Sequence, residues 1–90
     1  MKEELKDTIV SWLRQWFDTN SNIAIKDSED FESLNYFSAG LIDSIEFPRF
    51  IIDIEEEFNI RFEYDDFSKH EFSTIYGLYD TIKKRIHSTS

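Results

Sequence analysis

The 90-residue chain contains no cysteine. Disulfides and thiolate metal sites are therefore excluded, and any thiol chemistry would have to arrive with a cofactor. Long apolar runs are also missing, since none approaches the roughly 20 residues that a membrane-spanning helix needs. Met1-Lys2-Glu3-Glu4 lacks the apolar core of a signal peptide, so a cytoplasmic location is expected. Histidine is scarce: His70 and His87 have no ligand-spaced companions and read as surface residues. Asp27-Ser28-Glu29-Asp30 lacks the glycine and terminal glutamate of a calcium loop, and no metal site is expected. Basic residues are few, ten against nineteen acidic ones, for a formal charge of −9. Phosphate backbones repel such a surface, which argues against nucleic-acid binding. It favours solubility and steering toward basic partners.

What the chain does contain is aromatic surface. Aromatics make up 17% of it, nine of them Phe, which suits a packed core rather than disorder. The length fits one domain, residues 1–90, burying roughly 60–65% of its unfolded surface. Such a domain has no room for a large pocket walled on all sides, so a self-sufficient enzyme is not expected. A monomer is.

Apolar periodicity divides the chain into helices. Leu5, Ile9, Trp12, Leu13, Trp16 and Phe17 recur at spacings of three and four, which predicts a helix over 3–17. The turn-forming cluster Asp18-Thr19-Asn20-Ser21-Asn22 is expected to end it. A long polar connection follows through Asp30, with Ile23 and Ile25 as anchors on the core. Phe31, Leu34 and Phe37 are expected to pack down in a short turn before Gly40. Phe47, Phe50, Ile51, Ile54 and Phe58 mark the apolar stripe of a second helix. Ile60-Arg61-Phe62-Glu63-Tyr64 alternates like a strand but has no partner strand, so an extended connector is expected. Asp65 to Lys69 adds a brief third helix. Ser73 or Thr74 opens the last, whose stripe is Ile75, Leu78, Tyr79, Ile82 and Ile86. Lys83, Lys84, Arg85 and His87 complement the negative end of its dipole. Gly77 costs about 1 kcal/mol relative to Ala in a helix, which points to close packing there. The expected fold is all-α: three main helices and a short third one, with a long first loop.

Gly40-Leu41-Ile42-Asp43-Ser44-Ile45-Glu46 stands at the mouth of the second helix. No histidine lies near Ser44 in sequence to act as a base, and no second glycine shapes a strained elbow. Hydrolase chemistry needs both a base and an oxyanion pocket, so Ser44 reads as a place to attach something. Asp43 is expected to cap the helix, with Glu46 reaching back as in a capping box. Pro48 removes the hydrogen bond to the Ser44 carbonyl and crowds it, which predicts a distorted first turn or a late start to regular bonding.

Phe37-Ser38-Ala39-Gly40-Leu41-Ile42-Asp43-Ser44-Ile45 resembles the attachment motif of the acyl carrier protein family, Asp-Ser followed by Leu, Met or Ile. Ile54-Glu55-Glu56-Glu57-Phe58-Asn59-Ile60 resembles the end of the second helix of fatty-acid carriers, at the family's spacing. The resemblance implies a four-helix carrier fold with 4'-phosphopantetheine on Ser44, beside Asp43, transferred from coenzyme A by a phosphopantetheinyl transferase. It implies no catalytic residue in this chain: acyl groups would ride as thioesters on the arm, loaded and unloaded by acyl- or aminoacyl-activating and transferring enzymes. The Gly-Leu-Ile-Asp-Ser form and Phe67-Ser68-Lys69-His70-Glu71-Phe72-Ser73-Thr74 look closer to D-alanyl and related aminoacyl carriers, so both subtypes stay open. An unmodified helical adaptor that keeps the carrier fold is the alternative of another class.

At about 100° per residue, the second helix turns Ile45, Glu46, Arg49, Asp53 and Glu56 outward, with Ile52 at the margin. An exposed apolar pair framed by carboxylates reads as a partner-docking spot. Arg49 stands where fatty-acid carriers typically have an acidic residue.

Overall fold

Helix α1 (Lys2–Asn20) lays Ile9, Leu13, Trp16 and Phe17 into the core along one stripe. It runs three residues past its predicted end. The polar cluster continues the helix because Asn20 Nδ2 donates to the Trp16 carbonyl (2.9 Å) and the Ser21 amide to the Phe17 carbonyl (2.8 Å). The C-terminal carbonyls are thus partly satisfied from within the cluster. The computed structural model describes residues 2–21, 25 and 31–88. Ile25 is half-buried against the core, as expected of an anchor, while Ile23 and the Asp27–Asp30 segment lie outside the described residues.

Three further α-helices follow: α2 (Phe47–Phe58), the short α3 (Tyr64–Ser68) and α4 (Ile75–Ser88). Short 3-10 turns occupy Phe31–Ser33 and His70–Ser73. Among the described residues there is no strand, only an isolated antiparallel bridge between Asn35 and Thr74. The all-α class and the order of long and short helices are as the periodicity predicted. Phe50, Ile51 and Ile54 of α2 and Ile75, Leu78, Tyr79 and Ile82 of α4 are buried as their stripes require, with Phe47, Phe58 and Ile86 half-buried at the edges. Ile60 and Phe62 anchor the extended connector, and the Phe62 amide donates to Glu55 Oε2 at 2.9 Å.

Phe17 is the hub of the core. Its ring meets Trp16, Phe31, Tyr36 and Phe50 at centroid distances of 5.5, 6.4, 5.9 and 5.0 Å. Each such pair contributes on the order of 1 kcal/mol beyond its area burial. Tyr36 is fully buried, and its hydroxyl donates to the Phe72 carbonyl. Burial pushes its phenol above the usual tyrosine range. Around it the Tyr36 amide donates to the Ser73 carbonyl (3.2 Å) and the Ile75 amide to the Leu34 carbonyl (3.0 Å). Residues 34–36 are therefore strapped to the start of α4.

The start of α4 is set by Thr74, whose Oγ1 accepts from the Gly77 amide at 3.1 Å. A Cβ on Gly77 would lie 1.8 Å from the Glu71 carbonyl oxygen, so the glycine is there because backbone passes over it. The connection between α3 and α4 depends on a charge pair that the sequence pattern does not reveal. Asp66 is 1% exposed and accepts from Arg85 Nε (2.9 Å) and Nη2 (2.8 Å) in a bidentate fork. The Glu63 amide donates to the same carboxylate at 2.8 Å. Burial pushes the Asp66 pKa up, but the Arg85 fork and the Glu63 amide outweigh it and hold the carboxyl below its usual range. Arg85 is thus a strut between helices, beyond the dipole role its position suggested.

Two stability predictions follow from these contacts. Gly77→Ala gains about 1 kcal/mol of helix propensity and loses more to the overlap with Glu71, for a net loss of about 2 kcal/mol in urea unfolding. Unchanged or raised stability would show that the chain relaxes freely there. Because the folded Asp66 carboxyl binds its proton less readily than the unfolded one, its contribution is present above pH ~4 and lost as pH falls further. Asp66→Asn should lower stability at pH 7 by about 2 kcal/mol, and its gap to wild type should close below pH ~4. A gap that does not change with pH contradicts this role.

Candidate functional site

Ser44 sits in the turn that leads into α2, and its side chain is exposed. Its hydroxyl makes no hydrogen bond among the described residues. Asp43 builds the turn. Its Oδ1 accepts from the Ile45 amide (3.0 Å) and the Glu46 amide (2.8 Å), and its own carbonyl accepts from the Phe47 amide at 3.0 Å. Regular helix begins at Phe47, so Pro48 falls in the first turn, where a missing N–H costs nothing. This is the late start expected of a proline there.

The capping-box expectation for Glu46 is not met. Asp43 Oδ1 accepts from the Glu46 amide, but Glu46 has α-region backbone angles and makes no side-chain capping bond, so only one half of the box forms. A second consequence concerns anions. Free amides at a helix N-terminus usually favour a phosphate group. Here Asp43 engages the amides of Ile45, Glu46 and Phe47, and Pro48 has none. A phosphoryl group on Ser44 would be held by its covalent bond, with no cradle made from these four residues.

The loop before Ser44 is ordered by Asn35, whose Oδ1 accepts from the amides of Phe37 and Ser38, both at 3.0 Å. Gly40 takes a left-handed φ of 77°, which returns the chain so that Leu41 and Ile42 insert into the core. Phe37 does not pack down as expected. It is 40% exposed, because the Asn35 turn lifts it to the surface against Phe47, at a centroid distance of 5.1 Å. Phe67, 41% exposed, also meets Phe47, at 6.4 Å. These rings form an aromatic strip beside the Ser44 turn. An open groove of about 550 Å³ also adjoins it, lined by Phe37, Leu41, Ile42, Asp43 and Glu46 and by Asn20 and Ser21 at the end of α1.

Ile45 and Glu46 lie in the turn before α2 and not on the helix as projected, because regular helix starts only at Phe47, and the outward residues of this turn and of α2 separate into two groups. Ile45 is 87% exposed and Ile52 is 52% exposed, and Arg49 and Glu56 are exposed between and beyond them. Asp53 and Glu46 are half-buried on the flank. Asp53 Oδ2 accepts from Trp16 Nε1 at 2.8 Å and lies 4.0 Å from Arg49 Nε. Its carboxylate therefore ties α2 to α1 as well as facing outward.

Compared with protein-family models, with curated proteins and with solved structures, the chain matches none of them. Among the described residues no group of three or more His, Cys, Asp or Glu side chains is gathered to hold a metal ion. No described helix is long and apolar enough to cross a membrane. His87 is exposed on the last turn of α4.

Removing the Asp43 cap should be measurable. Asp43→Ala is expected to lower stability by about 1 kcal/mol in thermal or urea unfolding, while Asp43→Asn, which keeps an acceptor oxygen, should stay close to wild type. Equal loss in both variants would mean that charge rather than capping gives Asp43 its role.

Proposed function

We propose that this chain is a discrete carrier protein of the acyl carrier kind, with Ser44 as the attachment point of a 4'-phosphopantetheine arm. The observation that carries the reading is the free, exposed Ser44 hydroxyl on a turn fixed by Asp43, in a chain that has no cysteine. A transferase must reach that hydroxyl from outside, and no neighbouring side chain competes for it. The group would supply what the chain lacks, a thiol on a flexible tether that carries acyl groups as thioesters.

This chain's own residues do less and do it locally. Asp43 orders the turn through two amides, so the serine is presented at one place instead of sampling many. Leu41 and Ile42 pin the preceding segment into the core, and Phe50 pins the helix that follows. The turn therefore stays put when a partner engages it. Loading and unloading belong to acyl- or aminoacyl-activating and transferring enzymes, which would dock on the outward residues of α2. The need for coenzyme A makes a cytoplasmic location part of the reading.

The test is direct. Incubated with coenzyme A and a broad-specificity phosphopantetheinyl transferase, the protein should gain the mass of one phosphopantetheinyl group, and Ser44→Ala should gain none. Wild-type protein that several transferases leave unmodified would favour an unmodified helical adaptor instead.

A further inference from the structure

The outward face of α2 has a charge pattern that specifies its partner. On α2, Arg49, Ile52 and Glu56 follow one another at steps of three and four residues, which at about 100° per residue puts them within one narrow arc, and Ile45 stands exposed in the turn just before the helix. Ile45 and Ile52 are the most exposed apolar residues of this face, at 87% and 52%. Arg49 lies between them, with 76% of its side chain exposed. Asp53, the carboxylate paired with Arg49 among the described residues, is already engaged by Trp16 at 2.8 Å and reaches Arg49 only at 4.0 Å. An exposed ion pair at that separation contributes little, and Arg49 keeps nearly all of its capacity to bind a carboxylate. Ile52 also borders an open groove of about 620 Å³ whose other lining residues include Ile60, Glu55, Glu56, Arg61 and Arg85.

We infer that this face receives an amphipathic protein segment with an acidic side chain between two apolar ones. The carboxylate meets Arg49, one apolar side chain covers Ile45, and the other enters the groove beside Ile52. On a helical partner, apolar side chains seven residues apart share one face, so one covers Ile45 while the other reaches Ile52, as in other helix-in-groove contacts. The net charge of −9 and the exposed Glu56 select basic residues on the partner's rim, so its signs are basic outside and acidic at the centre. A uniformly basic partner would place a cation against Arg49. The inference takes its face from the proposed function but needs no modification of Ser44.

The test uses two synthetic helical peptides that differ at one position. Both carry leucines seven residues apart and a lysine rim; one has glutamate midway between the leucines and the other has lysine. Binding to the full chain is followed by fluorescence anisotropy, with amide shifts locating the contact. The glutamate peptide should bind wild type about tenfold more tightly and shift Ile45, Arg49 and Ile52. Arg49→Glu, checked for an unchanged circular dichroism spectrum, should reverse the preference. Ser44→Ala should bind like wild type, which separates this result from the fate of the attachment reading. Equal affinities, absence of binding, an unreversed preference in Arg49→Glu, or shifts confined to another face would each overturn the inference.

Discussion

Tyr36 ties α1 and α2 to the segment that leads into α4. Its ring lies against Phe17 of α1 and Phe50 of α2, and its hydroxyl donates to the Phe72 carbonyl just before α4. A buried hydroxyl without a partner is costly, so this side chain demands the carbonyl at that place. The flanking amide bonds between residues 34–36 and 73–75 then follow almost without choice. Whatever Ser44 does depends on this strap, because the segment from Phe37 to Glu46 leaves from it.

From that anchor the structure grades from rigid to free over a few residues. Leu41 and Ile42 are buried, Asp43 is exposed but committed to two amides, and Ser44 is exposed with no hydrogen bond among the described residues. A rigid base under a free functional group suits a group that other proteins must find and handle. The charges are similarly divided. Asp66 and Arg85 are spent on joining α3 to α4, and Asp53 on joining α2 to Trp16 of α1. Arg49 and Glu56 remain for contacts outside the molecule.

The sequence pattern revealed the helices because their apolar residues repeat at helical spacing over ten or more positions. The Ser44 turn was legible too, since Asp43 before a helix start is a local signal that needs no tertiary information. What escaped was set by contacts between distant segments. Phe37 reads as a core residue by type, and only the Asn35 turn, strapped to residues 73–75, lifts it out. Asp66 and Arg85 are 19 residues apart, with no periodicity to connect them. Asp53 looked like part of an outward arc because a helical projection cannot show that Trp16 approaches from its side. Glu46 makes no reciprocal capping bond: it sits in the turn, and regular helix begins only after it, at Phe47.

The most direct test of the central claim is the state of Ser44 in protein purified from cells that make it naturally. Peptide fragmentation in a mass spectrometer can locate a phosphopantetheine arm on a single residue by the characteristic loss of the arm. The arm should be found on the peptide that contains Ser44, on that serine and nowhere else. Native protein that is uniformly unmodified at Ser44, or modified at another hydroxyl, would contradict the account.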